Sequence, residues 1–224
     1  MLQALSRSHS DLVVVHSALA DILRREDRCA EAVSAYDAAL ALVPKVVPAH
    51  WTLFFSRGIC HENMKDWPKA EADFRKALEL RPGQPQVLNY LGYSMLDRGL
   101  NFDEALDLIQ QAVRAEPEAG YIIDSLAWAY FRLGRYEEAL APMEKASLLE
   151  PTDPVVTDHL GDVYWMVGRK REAEFQWHRA LSCGPVEKDA VRIRKKLEVG
   201  LDQVMKDEAG TSPVVPAPPA PDGD

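Results

Sequence analysis

Asp158, His159 and Asp162 are the residues of this chain best spaced for chemistry. On a helix the two carboxylates stand at i and i+4, on one face, and could give a divalent metal two of its ligands. A metal site needs a third and a fourth ligand at matching spacing. The sequence offers none, so the expected state is a solvated acidic patch. His16, His50, His61 and His178 are isolated. Cys29, Cys60 and Cys183 are odd in number and scattered, with no CxxC pair, so neither a disulfide framework nor a zinc site follows and three free thiols are expected. No glycine-rich phosphate loop follows a strand pattern, and no Ser-His-Asp set can be assembled from the sequence. No enzyme, cofactor or metal is therefore expected.

The elements that carry these residues are helices, and one stretch shows how. Residues 120–151 read GYIIDSLAWAYFRLGRYEEALAPMEKASLLEP. A first helix over about 121–133 ends at Gly134, where the backbone is free to turn. A second opens with Glu137 and Glu138 against the positive helix end and stops at Pro151. Small residues (Ala127; Ala139 and Ala146) fall where two helices must approach, with Leu126, Tyr130 and Met143 between them at helical spacing. One such hairpin cannot bury its apolar face and needs stacked neighbours.

Those neighbours are present. Pro44, Pro82, Pro117, Pro151 and Pro185 follow one another at 38, 35, 34 and 34 residues. Ala20, Gly58, Gly92, Ala127 and Gly161 recur on the first helices. Ala32/Ala39, Ala70/Ala77, Ala105/Ala112, Ala139/Ala146 and Ala173/Ala180 recur on the second, with Tyr36, Phe74, Ile109, Met143 and Trp177 between them. The period predicts an all-α solenoid with repeats at 13–44, 51–82, 85–117, 120–151 and 154–185. Residues 1–12 are either a partial repeat or an N-terminal cap. Expected local features are Asp27 and Asp66 as N-caps, a capping box from Asn101 to Glu104, and a kink at Pro142. Residues 187–205 form an amphipathic capping helix. Its inner face carries Ala190, Ile193, Leu197, Leu201 and Val204, and its solvent face Lys188, Arg192, Lys195 and Lys196. Residues 206–224, with five prolines and little to bury, should be a disordered tail.

A net charge of −9 argues against a duplex nucleic-acid binder, which needs a cationic surface. No apolar run approaches the roughly 20 residues of a membrane-spanning helix. The first ten residues lack the charged start and apolar run of an export signal.

The spacing of Leu, small residue, Tyr, Ala, large apolar residue, Ala and Pro resembles the tetratricopeptide repeat. Segments such as QPQVLNYLGYSMLDRGLNFDEALDLIQQA and DPVVTDHLGDVYWMVGRKREAEFQWHRAL resemble the C-terminal array of larger Gram-negative, alphaproteobacterial-type members, over about 18–201. That resemblance implies a right-handed superhelix of helix hairpins acting as a protein-binding scaffold or adaptor; the alternative is a self-assembly module of a larger protein. As read, the chain is expected in the cytoplasm; as a fragment of the exported family it would be periplasmic or outer-membrane-associated. The resemblance also places groove-facing residues on the first helices: Phe55, Asn89, Tyr93, Tyr121, Asp124, Trp128, Phe131, Asp158, Asp162 and Trp165. The positions that hold a carboxylate clamp in tail-binding members are here Ser17, Asp21, Phe55 and Ile59, so no such clamp is expected. The implied partner is a protein or peptide with basic and apolar residues.

Overall fold

A computed structural model describes residues 12–209. Among them are twelve α-helices and no strand: α1 Val13–Arg25, α2 Cys29–Ala41, α3 Trp51–Asn63, α4 Trp67–Leu80, α5 Pro85–Asp97, α6 Phe102–Ala115, α7 Gly120–Arg132, α8 Tyr136–Leu149, α9 Pro154–Met166, α10 Lys170–Ser182, α11 Glu187–Val199 and α12 Leu201–Ala209. The chain divides into two compact units between Leu91 and Gly92. The first holds the hairpins α1/α2 and α3/α4. The second holds α7/α8, α9/α10 and the pair α11/α12.

Each hairpin closes through a small residue on its first helix and a large one on its second. Tyr36, Phe74, Ile109, Met143 and Trp177 are all fully buried, and so are the alanines that flank them. The glycines show how tight the approach is. A methyl group on Gly58 would lie 2.8 Å from the Phe74 ring, and one on Gly92 would lie 2.8 Å from both the Ala105 carbonyl oxygen and the Ile109 side chain. On Gly161 it would collide with the Trp177 indole.

The turns obey one rule. In each of five turns the residue two past the last helical one has positive φ: Asp27 (59°), Lys65 (61°), Gly99 (67°), Gly134 (73°) and Gly168 (84°). The next N–H then reaches back to the third-last carbonyl of the first helix, as Arg28 to Leu23 (2.9 Å), Arg135 to Tyr130 (2.9 Å) and Arg169 to Tyr164 (2.8 Å). This is the Schellman closure, which satisfies carbonyls the helix end would leave orphaned. Asp27 therefore does not cap α2, as its residue type had suggested. It occupies the left-handed turn, and Arg28 takes the cap position.

Asp66 does sit at the cap of α4, in an ion pair with Lys69 at 2.7 Å. Asn101 caps α6, accepting from the Glu104 N–H at 3.4 Å while its own amide donates to the Glu104 carboxylate at 2.8 Å. Asp153, a cap that the repeat pattern does not mark, accepts from the Val155 and Val156 N–H groups of α9 at 2.8 and 3.0 Å. α8 continues through Pro142.

The segment at 187–205 is not one helix. Gly200, at φ 81°, separates α11 from α12, and a side chain there would strike the Trp165 ring at 2.7 Å. Residues 206–209, expected in the tail, belong to α12. The expectations for 1–11 and 210–224 lie outside the described residues.

Candidate functional site

In the second unit α7, α9 and α11 each carry charged residues toward one another. Asp158 and Asp162, one turn apart on α9, both face α11. Lys196 of α11 puts its ammonium between them, 2.6–2.8 Å from all four carboxylate oxygens. Lys196 is 1% exposed and Asp162 0%. The acidic patch is therefore not solvated, and Lys196 does not belong to the solvent face of its helix. Both corrections share a cause: the two carboxylates hold one buried ammonium between them, that of Lys196, 38 and 34 residues further on. Burial together with the neighbouring Asp162 pushes the Asp158 carboxyl up to about 6, against the pull of Lys196. Asp162 also accepts from the Trp177 indole N–H at 2.9 Å. Arg192 reaches Asp162 at 3.4 Å and Glu208 at 2.7 Å.

The preceding repeat position holds a second buried pair. Asp124 of α7 meets His159 Nδ1 of α9 at 2.9 Å. The His159 ring stacks on Trp128 at 3.9 Å and 11°, and Phe131 stacks on the same indole at 4.6 Å and 5°. Two nearly parallel rings so close to one centroid cannot lie side by side, so they sandwich the indole between them. Burial disfavours the imidazolium, but Asp124, Asp158 and Asp162 more than offset it, and the His159 pKa is raised.

A cleft of about 210 Å³ opens beside these pairs, lined by Tyr93, Trp128, Pro154, Val155, Asp158, His159, Pro185, Asp189, Arg192 and Ile193. Val155 is 44% exposed. Burial and the charge of Asp124 push the Tyr93 phenol up to about 12, so it stays a neutral hydroxyl. Among the described residues no group of three or more His, Cys, Asp or Glu side chains could hold a metal ion. The nearest sequence candidate, Asp158 with Asp162, has its inter-carboxylate space filled by Lys196.

The family model for the tetratricopeptide repeat matches residues 17–85 and 91–152, more than half of the chain. The chain belongs to the tetratricopeptide repeat family. It is 32% identical over 132 residues to the E3 ubiquitin-protein ligase CHIP of Arabidopsis thaliana, covering 54% of this chain and 45% of that protein. It is 32% identical over 91 residues to the TPR repeat-containing protein PA4667 of Pseudomonas aeruginosa, covering 41% of this chain and 15% of that one. It thus spans less than half the length of either relative. Among solved structures it resembles TTC0263, a thermophilic tetratricopeptide protein of Thermus thermophilus, with a TM-score of 0.68 and 21% identity over 84% of this chain and 100% of the other. It also resembles YrrB, described as having an unusual peptide-binding site, with a TM-score of 0.60 and 17% identity over 87% of this chain and 98% of the other. At these identities the structural likeness shows the fold. No helix among the described residues is long and apolar enough to cross a membrane.

The repeat family's groove positions end up in different environments here. Tyr121 is 42% exposed and Tyr93 lines the cleft. Asp124 and Phe131 are buried at 7% and 6%. Trp128 offers the cleft an edge, because both of its faces are covered. Trp165 lies under the α11–α12 turn, with its indole N–H donating to Asp202 at 2.9 Å. In the first unit Phe55 packs among Trp51, Phe74 and Tyr90, with ring centroids 5.3–6.1 Å apart. Asn89 is buried with its carbonyl oxygen unpartnered. Sequence reasoning set His159 aside with a solvated acidic patch, put Arg192 and Lys196 on the solvent face of their helix, and missed Asp189. One signal was available: Lys196 falls three residues after Ile193, within the apolar arc of α11.

The His159 pair sets a pH dependence. Its folded pKa lies above the unfolded one, so its stabilisation is fully present below the unfolded value of about 6.5 and is lost as pH rises through the folded value. Asp158, raised from 3.8 to about 6, has lost its own contribution by then. Urea unfolding of the second unit should show stability falling as pH rises above about 6.5, and His159→Gln should flatten that fall. An equal slope in the variant would show that the pair is not its source.

Proposed function

We propose that the chain is a protein-binding scaffold with no catalytic step, and that a segment of a partner protein lies along the first-helix face of residues 92–209. The cleft beside Tyr93, Val155 and the Trp128 edge carries this reading: it joins exposed apolar surface to polar groups on three helices. Binding pockets share that composition. The fold shared with YrrB, a repeat protein with a peptide-binding site, supports it by analogy. Tyr121 and Val155 would supply exposed apolar area. Phe131, Asp124 and Asp162 would hold the wall, and Trp165 the C-terminal helices.

A peptide library displayed on phage and selected against the full chain tests this. Selected peptides should lose at least about tenfold in affinity on Val155→Lys, a typical effect of placing a charge in an apolar contact. They should be unaffected by Phe175→Ala on α10. Equal binding to Val155→Lys and the parent would count against the site. A second reading, self-association, is favoured by Leu148 (82% exposed) and Phe175 (66%) on second helices. Light scattering over a concentration series would show it as a rise in mass that Leu148→Ser and Phe175→Ser abolish.

A further inference from the structure

We infer that the cleft beside Asp189 takes a single basic side chain, lysine or arginine, from the bound partner; this rests on the scaffold reading and names the chemistry of its central contact. Most of the charge around the cleft is already matched within the fold. Lys196 is held by Asp158 and Asp162, and His159 by Asp124. Arg192 is committed to Glu208 through Nε and Nη2, at 2.7 and 3.2 Å, and to Asp162 through Nη1.

Two polar groups that face the cleft have no partner among the described residues. They are the Asp189 carboxylate, on the first turn of α11, and the Tyr93 hydroxyl. An unmatched carboxylate beside a neutral hydroxyl is the complement of an N–H-rich cation. An acidic occupant would meet Asp189 and be repelled.

The apolar lining suits the rest of such a side chain. Pro154, Val155 and Pro185 border the cleft, and lysine and arginine lay their methylene stems on such surfaces while directing the charge to a polar end. The same face already seats one ammonium in this manner: Lys196 lies between two carboxylates, its nitrogen 5.7 Å from the centre of the Trp177 ring. Asp189 is half-buried and touches none of that network. A partner cation there would form a charge-assisted hydrogen bond without dismantling the fold.

The test uses three capped pentapeptides, acetyl-Ala-Ala-X-Ala-Ala-amide, with X as lysine, arginine or norleucine. Each is titrated into the full chain to about 10 mM, the range where single-contact affinities are read. Binding is followed by NMR at the Val155 methyls and the Trp128 indole N–H. Lysine and arginine peptides should shift both signals, and norleucine should bind at least about fivefold more weakly. Asp189→Asn should remove that preference at an unchanged melting temperature, and Tyr93→Phe should reduce it. Norleucine binding as well as lysine, or an unchanged preference in Asp189→Asn, would overturn the basic occupant while leaving the scaffold reading in place. If no pentapeptide shifts these signals and the library-selected peptides shift others instead, both readings fall together.

Discussion

Replacing Lys196 with alanine should cost the second unit about 3–5 kcal/mol, the usual price of leaving a buried charge without its counter-ion. Two carboxylates, one fully buried and one nearly so, would remain where one ammonium had met four of their oxygens. Arg192 cannot replace it in place, since it stands 3.9 Å from Asp158 and is held by Glu208. The carboxylates would respond by taking up protons, so the loss should be largest at neutral pH and shrink in acid. The pair itself contributes little net stability, because desolvating three charged groups offsets most of their attraction. Asp158→Asn with Asp162→Asn in the Lys196→Met background should therefore recover much of the loss. Urea unfolding of the single and triple variants separates the cases. A Lys196→Ala variant within about 1 kcal/mol of the parent would mean that water reaches the carboxylates.

How much of this was legible in the sequence depended on whether a feature repeats. The match of small and large residues within each hairpin does, so Gly161 against Trp177 could be placed by comparison with Ala127 and Met143. The left-handed turn was plain at Gly134, where glycine marks it, and the structure repeats it at Gly99 and Gly168. It was hidden at Asp27 and Lys65, where the residue type suggests something else and only alignment with the other copies gives the position.

The candidate site was less legible because its contacts join one repeat to the next element and obey no period. Trp128 stands at a groove-facing position, yet what covers it is a histidine 31 residues on. Asp158 and Asp162 look like surface carboxylates until α11 is docked over them. The break at Gly200 was overlooked because the apolar spacing of 187–205 runs smoothly across it. The packing of Trp165 against that glycine appears in no local pattern. Periodicity therefore gave the scaffold, while the charge pairs that decide which parts of its face stay open had to be found in three dimensions.

Trp177→Ala should also lose about 3–5 kcal/mol, as truncation of a large buried side chain does when its surroundings relax only partly. The indole is completely buried in the core that includes Leu160, Val163, Ile193 and Leu201, and it packs against Trp165 at 5.3 Å. Its N–H also partners Asp162, so the cavity would come with a buried carboxylate short of one donor. The glycine facing it allows a sharper test. Gly161→Ala alone would drive a methyl group into the indole, an overpacking expected to cost about 1–3 kcal/mol. Trp177→Met alone opens space on the same spot. Together they copy the Ala127–Met143 pairing that the preceding hairpin buries completely. The double variant should therefore be more stable than the sum of the single losses by about 0.5–3 kcal/mol, the range of coupling between residues in contact. Strict additivity would mean that Gly161 and Trp177 do not constrain each other, and the small-against-large rule would then fail for this hairpin.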